Sequence, residues 1–126
     1  MIDYVAITIR GETLDPEEVT LRLGVQPTQG FARGNTTVHP TPTEFGYWRL
    51  ILERPGGEVN DFLGELLATL NGHESDLAEF ARRYETEITI VADLSGYKEG
   101  EMTINASLLS RIAATSARLR FYWIYE

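Results

Sequence analysis

Four stretches of the sequence alternate between two sets of side chains, and helical segments separate them. The alternation covers residues 2–10, 47–53, 85–94 and 118–126, and a period of two residues is typical of β-strands. Between the strands, hydrophobic residues recur at steps of three and four, which is the period of an amphipathic helix. We therefore predict the α+β class, with a mostly antiparallel sheet and helices on one face of it.

The two ends of the chain repeat one order of elements. Residues 2–53 and residues 86–126 both read as strand, capped helix and strand, and each final strand contains a Tyr-Trp pair. Two such halves, joined by the helical middle of the chain, resemble the split βαβ or ferredoxin-like plan. The chain has 126 residues and no long linker or low-complexity tract, so we expect a single domain over residues 1–126.

The sequence marks both ends of the first helix. Asp15 is a good N-cap, and Pro16 suits the first helical position. Gly24 can adopt the left-handed conformation that ends a helix. These signals predict a helix over residues 16–23. Further helices are predicted over residues 58–71, from about Ser75, and from Asn105 or Ser107. We also predict a short extended piece of the loop near Thr36 to Val38, a turn over residues 95–100 and a short strand over residues 101–105.

Residues 25–44 form a long loop that is rich in proline, glycine and threonine. Loops of this length in a compact domain are uncommon, and they are often either functional or mobile. Arg33 lies between two glycines of this loop, where it could clamp a carboxylate or phosphate group. Alternatively, Arg33 could pair with one of the many surface acids. The first alternative predicts that the loop 27–35 contributes to a site for a small anionic ligand, formed by Thr28, Arg33, Trp48 and Arg49.

The last strand has bulky side chains on both of its faces. Phe121 and Trp123 point one way, whereas Tyr122 and Ile124 point the other. If the helices cover only one face of the sheet, an apolar patch stays exposed on the other, and such patches usually mark a partner or dimer surface. The alternative is that residues 25–44 fold over this patch. The candidate interface residues are Tyr4, Tyr122 and Ile124.

Composition argues against several classes of function. The formal net charge is −8, so the chain lacks the basic surface that is typical of nucleic-acid binding. It has no cysteine and only two histidines, His39 and His73, without ligand spacing, so we expect no metal and no cofactor. Neither a G-x-S-x-G elbow nor a phosphate-binding loop is present. We therefore expect no enzymatic activity, and an enzyme that uses Asp93 or a histidine is the least favoured alternative.

Two further features concern the location of the chain. No apolar run approaches the roughly 18 residues that a membrane-spanning helix needs, so we expect no membrane association. The first strand begins at Ile2, which leaves no room for a signal peptide. The lack of cysteine is compatible with a reducing compartment. We therefore expect a cytoplasmic protein.

The order and spacing of a larger set of residues resemble a known family. The chain contains LDPEEVTLRLGVQPT from Leu14, then Arg33-Gly34, then GYWRL over residues 46–50, and it closes with LRFYWIYE. This pattern looks like the bacterial domain-of-unknown-function family 4279 and spans nearly the whole chain. The resemblance implies a small bacterial domain without an assigned activity, and it carries over no catalytic residues. We expect a non-enzymatic binding or interaction module, immunity-like or self-associating, with a protein partner or a homodimer; the alternative is a small anionic ligand.

Overall fold

The computed structural model describes residues 2–53, 57–93 and 101–124. Within these ranges the chain forms five strands and four helices, so the predicted α+β class is confirmed. In chain order they are β1 (Ile2–Gly11), α1 (Pro16–Leu23), β2 (Gln29–Phe31), β3 (Gly46–Glu53), α2 (Val59–Thr69), α3 (Glu74–Arg83), β4 (Glu85–Asp93), α4 (Ala106–Ala114) and β5 (Arg118–Ile124).

The five strands form one open sheet in the order β2-β3-β1-β4-β5. Strand β1 lies between β3 and β4 and is antiparallel to both, and β2 is antiparallel to β3. Strands β4 and β5 are parallel neighbours, and α4 connects them. The sheet is therefore mixed and mostly antiparallel. This order does not confirm the ferredoxin-like variant, because two split βαβ units would leave no parallel strands side by side.

The hydrophobic core lies between one face of the sheet and the helices. The register aligns Ile7 of β1 with Leu50 of β3 and with Ile88 of β4, and Ile7 and Ile88 are fully buried. Burial of each such side chain stabilises the fold by about 1.5–3 kcal/mol. The helices supply the other side of the same cluster with Val19, Leu23, Phe62, Leu63, Leu66, Leu67, Leu77, Phe80 and Ile112.

Helix α1 begins and ends where the sequence predicts. The Asp15 carboxylate accepts a hydrogen bond of 3.0 Å from the backbone N–H of Glu17, and Gly24 ends the helix with a φ of 71°. Leu14 and Val19 are both buried and flank the first turn, as a hydrophobic staple requires. Local interactions therefore account for this segment completely.

The predicted extended piece near Thr36 to Val38 is wrong. The side-chain oxygen of Asn35 accepts hydrogen bonds from the backbone N–H groups of Thr37 and Val38, at 2.9 and 3.2 Å. These bonds hold the backbone in a turn and compete with strand pairing. The extended part of the loop lies earlier, at β2.

The predicted strand over residues 101–105 is also wrong. The Asn60 side chain of α2 donates to the carbonyl oxygen of Thr103 and accepts from the N–H of Asn105, both at 2.9 Å. A side chain thus satisfies backbone groups that a strand would use for pairing. The predicted turn over residues 95–100 lies outside the described residues.

No helix within the described ranges combines the length and the apolar composition that crossing a membrane requires. The longest of them, α2, has 11 residues.

Candidate functional site

The four described helices pack on one face of the sheet, and we call the opposite side the open face. The predicted interface residues lie there: Tyr4 and Tyr122 share one row across the sheet with Val91 between them, and Ile124 follows on β5. The open face consists of Tyr4, Ala6, Thr8, Arg10, Gln29, Phe31, Tyr47, Arg49, Ile51, Glu53, Glu85, Glu87, Thr89, Val91, Asp93, Arg118, Arg120, Tyr122 and Ile124.

Strand β5 exposes large hydrophobic side chains on both of its faces. We call these four consecutive residues, 121–124, the β5 aromatic edge. The exposed fraction is 38% for Phe121, 47% for Tyr122, 46% for Trp123 and 37% for Ile124. Among the residues of β5, Leu119 is the one that packs against the core. The rings of Phe121 and Trp123 stack on each other, with centroids 6.0 Å apart.

The arginines of β5 pair with acids of the neighbouring strand. Arg120 Nε lies 2.7 Å from Glu87 Oε1, and Arg118 Nη1 lies 3.4 Å from Glu85 Oε1. Arg120 also donates a hydrogen bond of 2.8 Å to the Tyr122 hydroxyl, and this bond together with the charge of Glu87 raises the pKa of Arg120. The positive charges of β5 are therefore held toward β4.

Residues 25–44, together with the following Phe45, reach only one end of the open face. The Phe31 ring stacks on Tyr47, with centroids 5.1 Å apart, and the Arg10 guanidinium lies 5.1 Å from the centroid of Phe45. These contacts lie at the Arg10 end of β1, whereas Tyr122 and Ile124 stay exposed.

The structure does not bring the four predicted ligand-binding residues together. Trp48 is fully buried on the helix side, where its Nε1 donates to Thr20 Oγ1 at 3.0 Å. Arg49 is the next residue of the strand and therefore lies on the open face. Arg33 pairs with Glu12 at 2.9 Å, so it contacts a surface acid, as the second alternative for this residue predicted.

Thr28 has a backbone role at the end of the sheet. Its N–H donates to the carbonyl oxygen of Arg49 at 2.7 Å, and its hydroxyl accepts from the N–H of Ile51 at 2.8 Å. Both bonds extend the pairing of β2 with β3. The single pocket that was predicted for Thr28, Arg33, Trp48 and Arg49 is therefore not formed.

Arg49 is the one member of that set that keeps a feature of a binding residue. Its Nη2 donates to the Tyr4 hydroxyl at 3.3 Å, and its Nε is buried without a hydrogen-bond partner. Burial lowers the pKa of Arg49, but the hydrogen bond to Tyr4 and the proximity of Tyr47 outweigh it, so the pKa is raised overall. Among the described residues, no carboxylate pairs with this cation.

A second concave region lies between α1 and β2. It is an open groove of about 620 Å³, lined by Pro16, Leu21, Pro27 and Phe31. The acids on its rim are Asp15, which caps α1, and Glu17 in its first turn. Negative charge at the N-terminus of a helix is stabilising by itself, so these acids need no ligand to explain them.

The two histidines make local contacts. His39 Nδ1 accepts a hydrogen bond of 3.1 Å from the N–H of Thr41, and His73 Nδ1 lies 3.4 Å from Asp76 Oδ2 at the start of α3. In the part of the chain that the structure describes, no three His, Cys, Asp or Glu side chains are grouped to hold a metal ion.

We did not predict from the sequence that β5 is an edge strand. We also did not predict that the rings on the helix side of β5 are exposed, like the side chains on its open face. A signal for this arrangement was present, since a helix between two strands of one sheet predicts a parallel crossover. Residues 106–114 form that helix between β4 and β5. The other missed feature is the pairing of Arg120 with Glu87, because it depends on the strand register.

Comparison with known proteins gave one result. A search among curated proteins found no match, and neither did a search among solved structures. A model of the family described as "Domain of unknown function (DUF4279)" matches residues 2–125. This match covers nearly all of the 126 residues and agrees with the resemblance carried by the sequence pattern. The chain belongs to the DUF4279 family.

Proposed function

We propose that this protein is a non-enzymatic interaction module of the bacterial cytoplasm that binds a protein partner through the β5 aromatic edge. The observation that carries the proposal is the exposure of four consecutive large hydrophobic residues, Phe121 to Ile124, on both faces of an edge strand. Soluble proteins rarely leave such edges uncovered, because they invite pairing with another chain.

The chemistry of strand addition fits this edge. Within the described residues β5 pairs only with β4, so its outer N–H and C=O groups can bind an extended segment of a partner. The side chains of that segment would cover Phe121 and Trp123 on one side of the sheet and Tyr122 and Ile124 on the other. Because Arg118 and Arg120 pair with acids of β4, their charges do not oppose the approach of a hydrophobic strand.

A synthetic peptide with the sequence of residues 118–126 is a direct probe of this proposal. We expect that adding the peptide slows hydrogen exchange at the outward amides of β5, because new hydrogen bonds protect them. The variant Trp123→Lys should weaken peptide binding at least about tenfold, as expected for an aromatic residue central to an interface. The control Leu21→Lys, on α1 with 83% exposure, should bind as the native chain does. The proposal fails if the β5 amides respond neither to the peptide nor to the concentration of the protein itself.

A second candidate function is the binding of a small anion at Arg49. It is favoured by the lack of a carboxylate partner for this guanidinium among the described residues and by its unpartnered Nε. This anion site would lie on the open face beside Tyr4. Thr28 of the loop 27–35 contacts it indirectly, by donating its N–H to the backbone carbonyl oxygen of Arg49.

A thermal-shift series with inorganic phosphate and with acetate tests the anion site. A ligand that binds only the folded state raises the unfolding temperature by mass action. We expect a shift in the native chain and in Arg33→Met, and none in Arg49→Met. Equal shifts in the two variants would remove Arg49 from consideration.

A further inference from the structure

The β5 aromatic edge is suited to one occupant in particular. We propose that it binds the same edge of a second copy of this chain, with the two β5 strands antiparallel about a twofold axis. This inference rests on the function proposed above and adds the identity and the geometry of the partner. It would join two five-stranded sheets into one continuous sheet.

The length and regularity of β5 provide the first support. The strand has seven residues, and each of them aligns with β4 from Glu87–Arg118 to Asp93–Ile124 without a shift in register. The strand contains no proline and no bulge, which are common devices that block pairing at an edge. It therefore offers an uninterrupted row of backbone groups to a second strand.

The distribution of charge along β5 favours the antiparallel orientation. Arg118 and Arg120 lie in its first half, and the β5 aromatic edge forms its second half. A parallel pair would place each arginine beside its own counterpart, and like charges directly opposite each other are destabilising. An antiparallel pair instead places the arginine half of each copy beside the aromatic half of the other.

Symmetry and charge together limit the register of this pair. A twofold axis perpendicular to the sheet keeps the helices of both copies on one side, and directly opposite residues then point to the same face. The axis must therefore lie midway between the two copies of one residue. Positions 118 to 120 would place arginines opposite each other, and of the remaining positions Phe121 and Tyr122 pair the most residues of β5. An axis at Phe121 places Arg120 opposite Tyr122 of the second copy, a favourable contact between a cation and an aromatic ring. An axis at Tyr122 places Phe121 opposite Trp123 of the second copy.

Self-pairing also accounts for exposed rings on both faces. On the helix side, the stacked Phe121–Trp123 pair of each copy would meet its counterpart. On the open face, Tyr122 of each copy would meet Arg120 of the other for an axis at Phe121, or its own counterpart for an axis at Tyr122, and Ile124 would lie beside an arginine of the other copy. One contact of this isologous kind covers all four side chains, because the same patch serves on both copies. An acidic peptide is a poorer occupant, since both arginines of β5 already have carboxylate partners.

The oligomeric state of the full chain is the first test. We expect light scattering after size exclusion to give twice the chain mass for the native protein and for Leu21→Lys. Trp123→Lys should raise the dissociation constant at least about tenfold while leaving the circular dichroism of the monomer unchanged. If Trp123→Lys does not fold, Ile124→Lys at the end of the strand serves the same purpose. A native chain that is monomeric at all concentrations would overturn the proposed pairing.

Single cysteines test the orientation, because the chain contains no cysteine of its own. Near the axis, Phe121→Cys or Tyr122→Cys should give a disulfide-linked dimer under mild oxidation. Arg118→Cys should not, because in the antiparallel pair its counterpart lies about 20 Å or more away, far beyond the roughly 7 Å that a disulfide can span. Cross-linking through Arg118→Cys, whether or not residues 121 and 122 also cross-link, would overturn the antiparallel arrangement.

The two proposals fail in different ways. If the native chain is monomeric but the peptide of residues 118–126 binds to β5, the second copy is excluded as the partner and the interaction module stands. If neither a second copy nor the peptide engages β5, both proposals are overturned.

Discussion

The two edges of the sheet are built in opposite ways. Strand β2 has three residues, and its ring, Phe31, is 9% exposed because it stacks on Tyr47. Strand β5 has seven residues, and its aromatic rings are more than a third exposed. A short edge strand is one way in which natural proteins prevent edge-to-edge pairing. The aromatic ring at β2 is therefore part of the packing of the single chain, whereas the exposed rings at β5 are available for the contact between chains that we propose.

The long loop after β2 contributes to this difference. Its two arms are joined by hydrogen bonds from the N–H of Gly34 to the carbonyl oxygen of Thr43, at 2.8 Å, and from the N–H of Thr43 to that of Asn35, at 3.0 Å. The loop then returns Phe45 to within 6.0 Å of the Phe31 ring. The segment therefore protects the ring at the β2 edge, whereas no comparable segment among the described residues protects the rings of β5.

The largest difference between the edges is expected when their rings are removed. Phe31→Ala should lower the free energy of unfolding by about 3 kcal/mol, as for a buried aromatic side chain. Phe121→Ala should lower it by only about 1 kcal/mol, because much of that ring is already in water. Urea unfolding at a protein concentration too low for association measures both values. Equal losses would contradict the comparison.

A smaller effect is expected from the acid that pairs with Arg120. Glu87 is 19% exposed in its side chain, and Glu87→Gln should cost about 1 kcal/mol of stability and free a positive charge at β5. Association measured by sedimentation should therefore weaken several-fold. The matched control is Glu12→Gln, whose exposed pair with Arg33 is worth less than about 1 kcal/mol. If both variants associate alike, the pairing of the β5 arginines has no role in binding.

The smallest effect on stability at neutral pH is expected from removing the ion pairs between helices α1 and α3. Arg22 of α1 binds Asp76 and Glu79 of α3 at 2.7 and 2.6 Å, and its hydrogen bonds lower the pKa of both carboxyls. A pKa that is lower in the folded state stabilises the fold above the ordinary pKa, and this stability is lost as pH falls. We expect unfolding temperatures to drop between about pH 5 and pH 3, and to drop less in Arg22→Met.

The control for this pH dependence is Arg33→Met, which removes an exposed pair beside β2. It should keep the native pH profile. A native profile in Arg22→Met as well would show that other carboxyls set the acid sensitivity.

The parts of the fold that depend on near neighbours in sequence could be predicted. Helix α1 has its cap, its staple and its glycine stop within residues 14–24, so the predicted bounds are confirmed. The two faces of β1 and β4 follow from strict alternation. By contrast, β2 is too short to alternate, and it exists because Thr28 and the following residues pair with β3.

The candidate sites show the same division. Trp48 and Arg49 are adjacent in a strand and therefore face opposite sides of the sheet. The sequence alone could have excluded a pocket that both side chains line. The partner of Arg33 is Glu12, and composition could not identify it among 19 acidic residues. The exposure of the rings in β5 depends on strand order, which has no local signal apart from the crossover helix.

The central position of β1 has a consequence for how the chain folds. This first strand pairs with β4, and the bond between Arg10 and Glu85 joins residues 75 positions apart. Strands β1 and β4 can pair only after the chain between them has formed a loop that brings its two ends together, and such non-local pairing slows folding. We therefore expect folding in milliseconds to seconds, with the assembly of the sheet around β1 as the slow step.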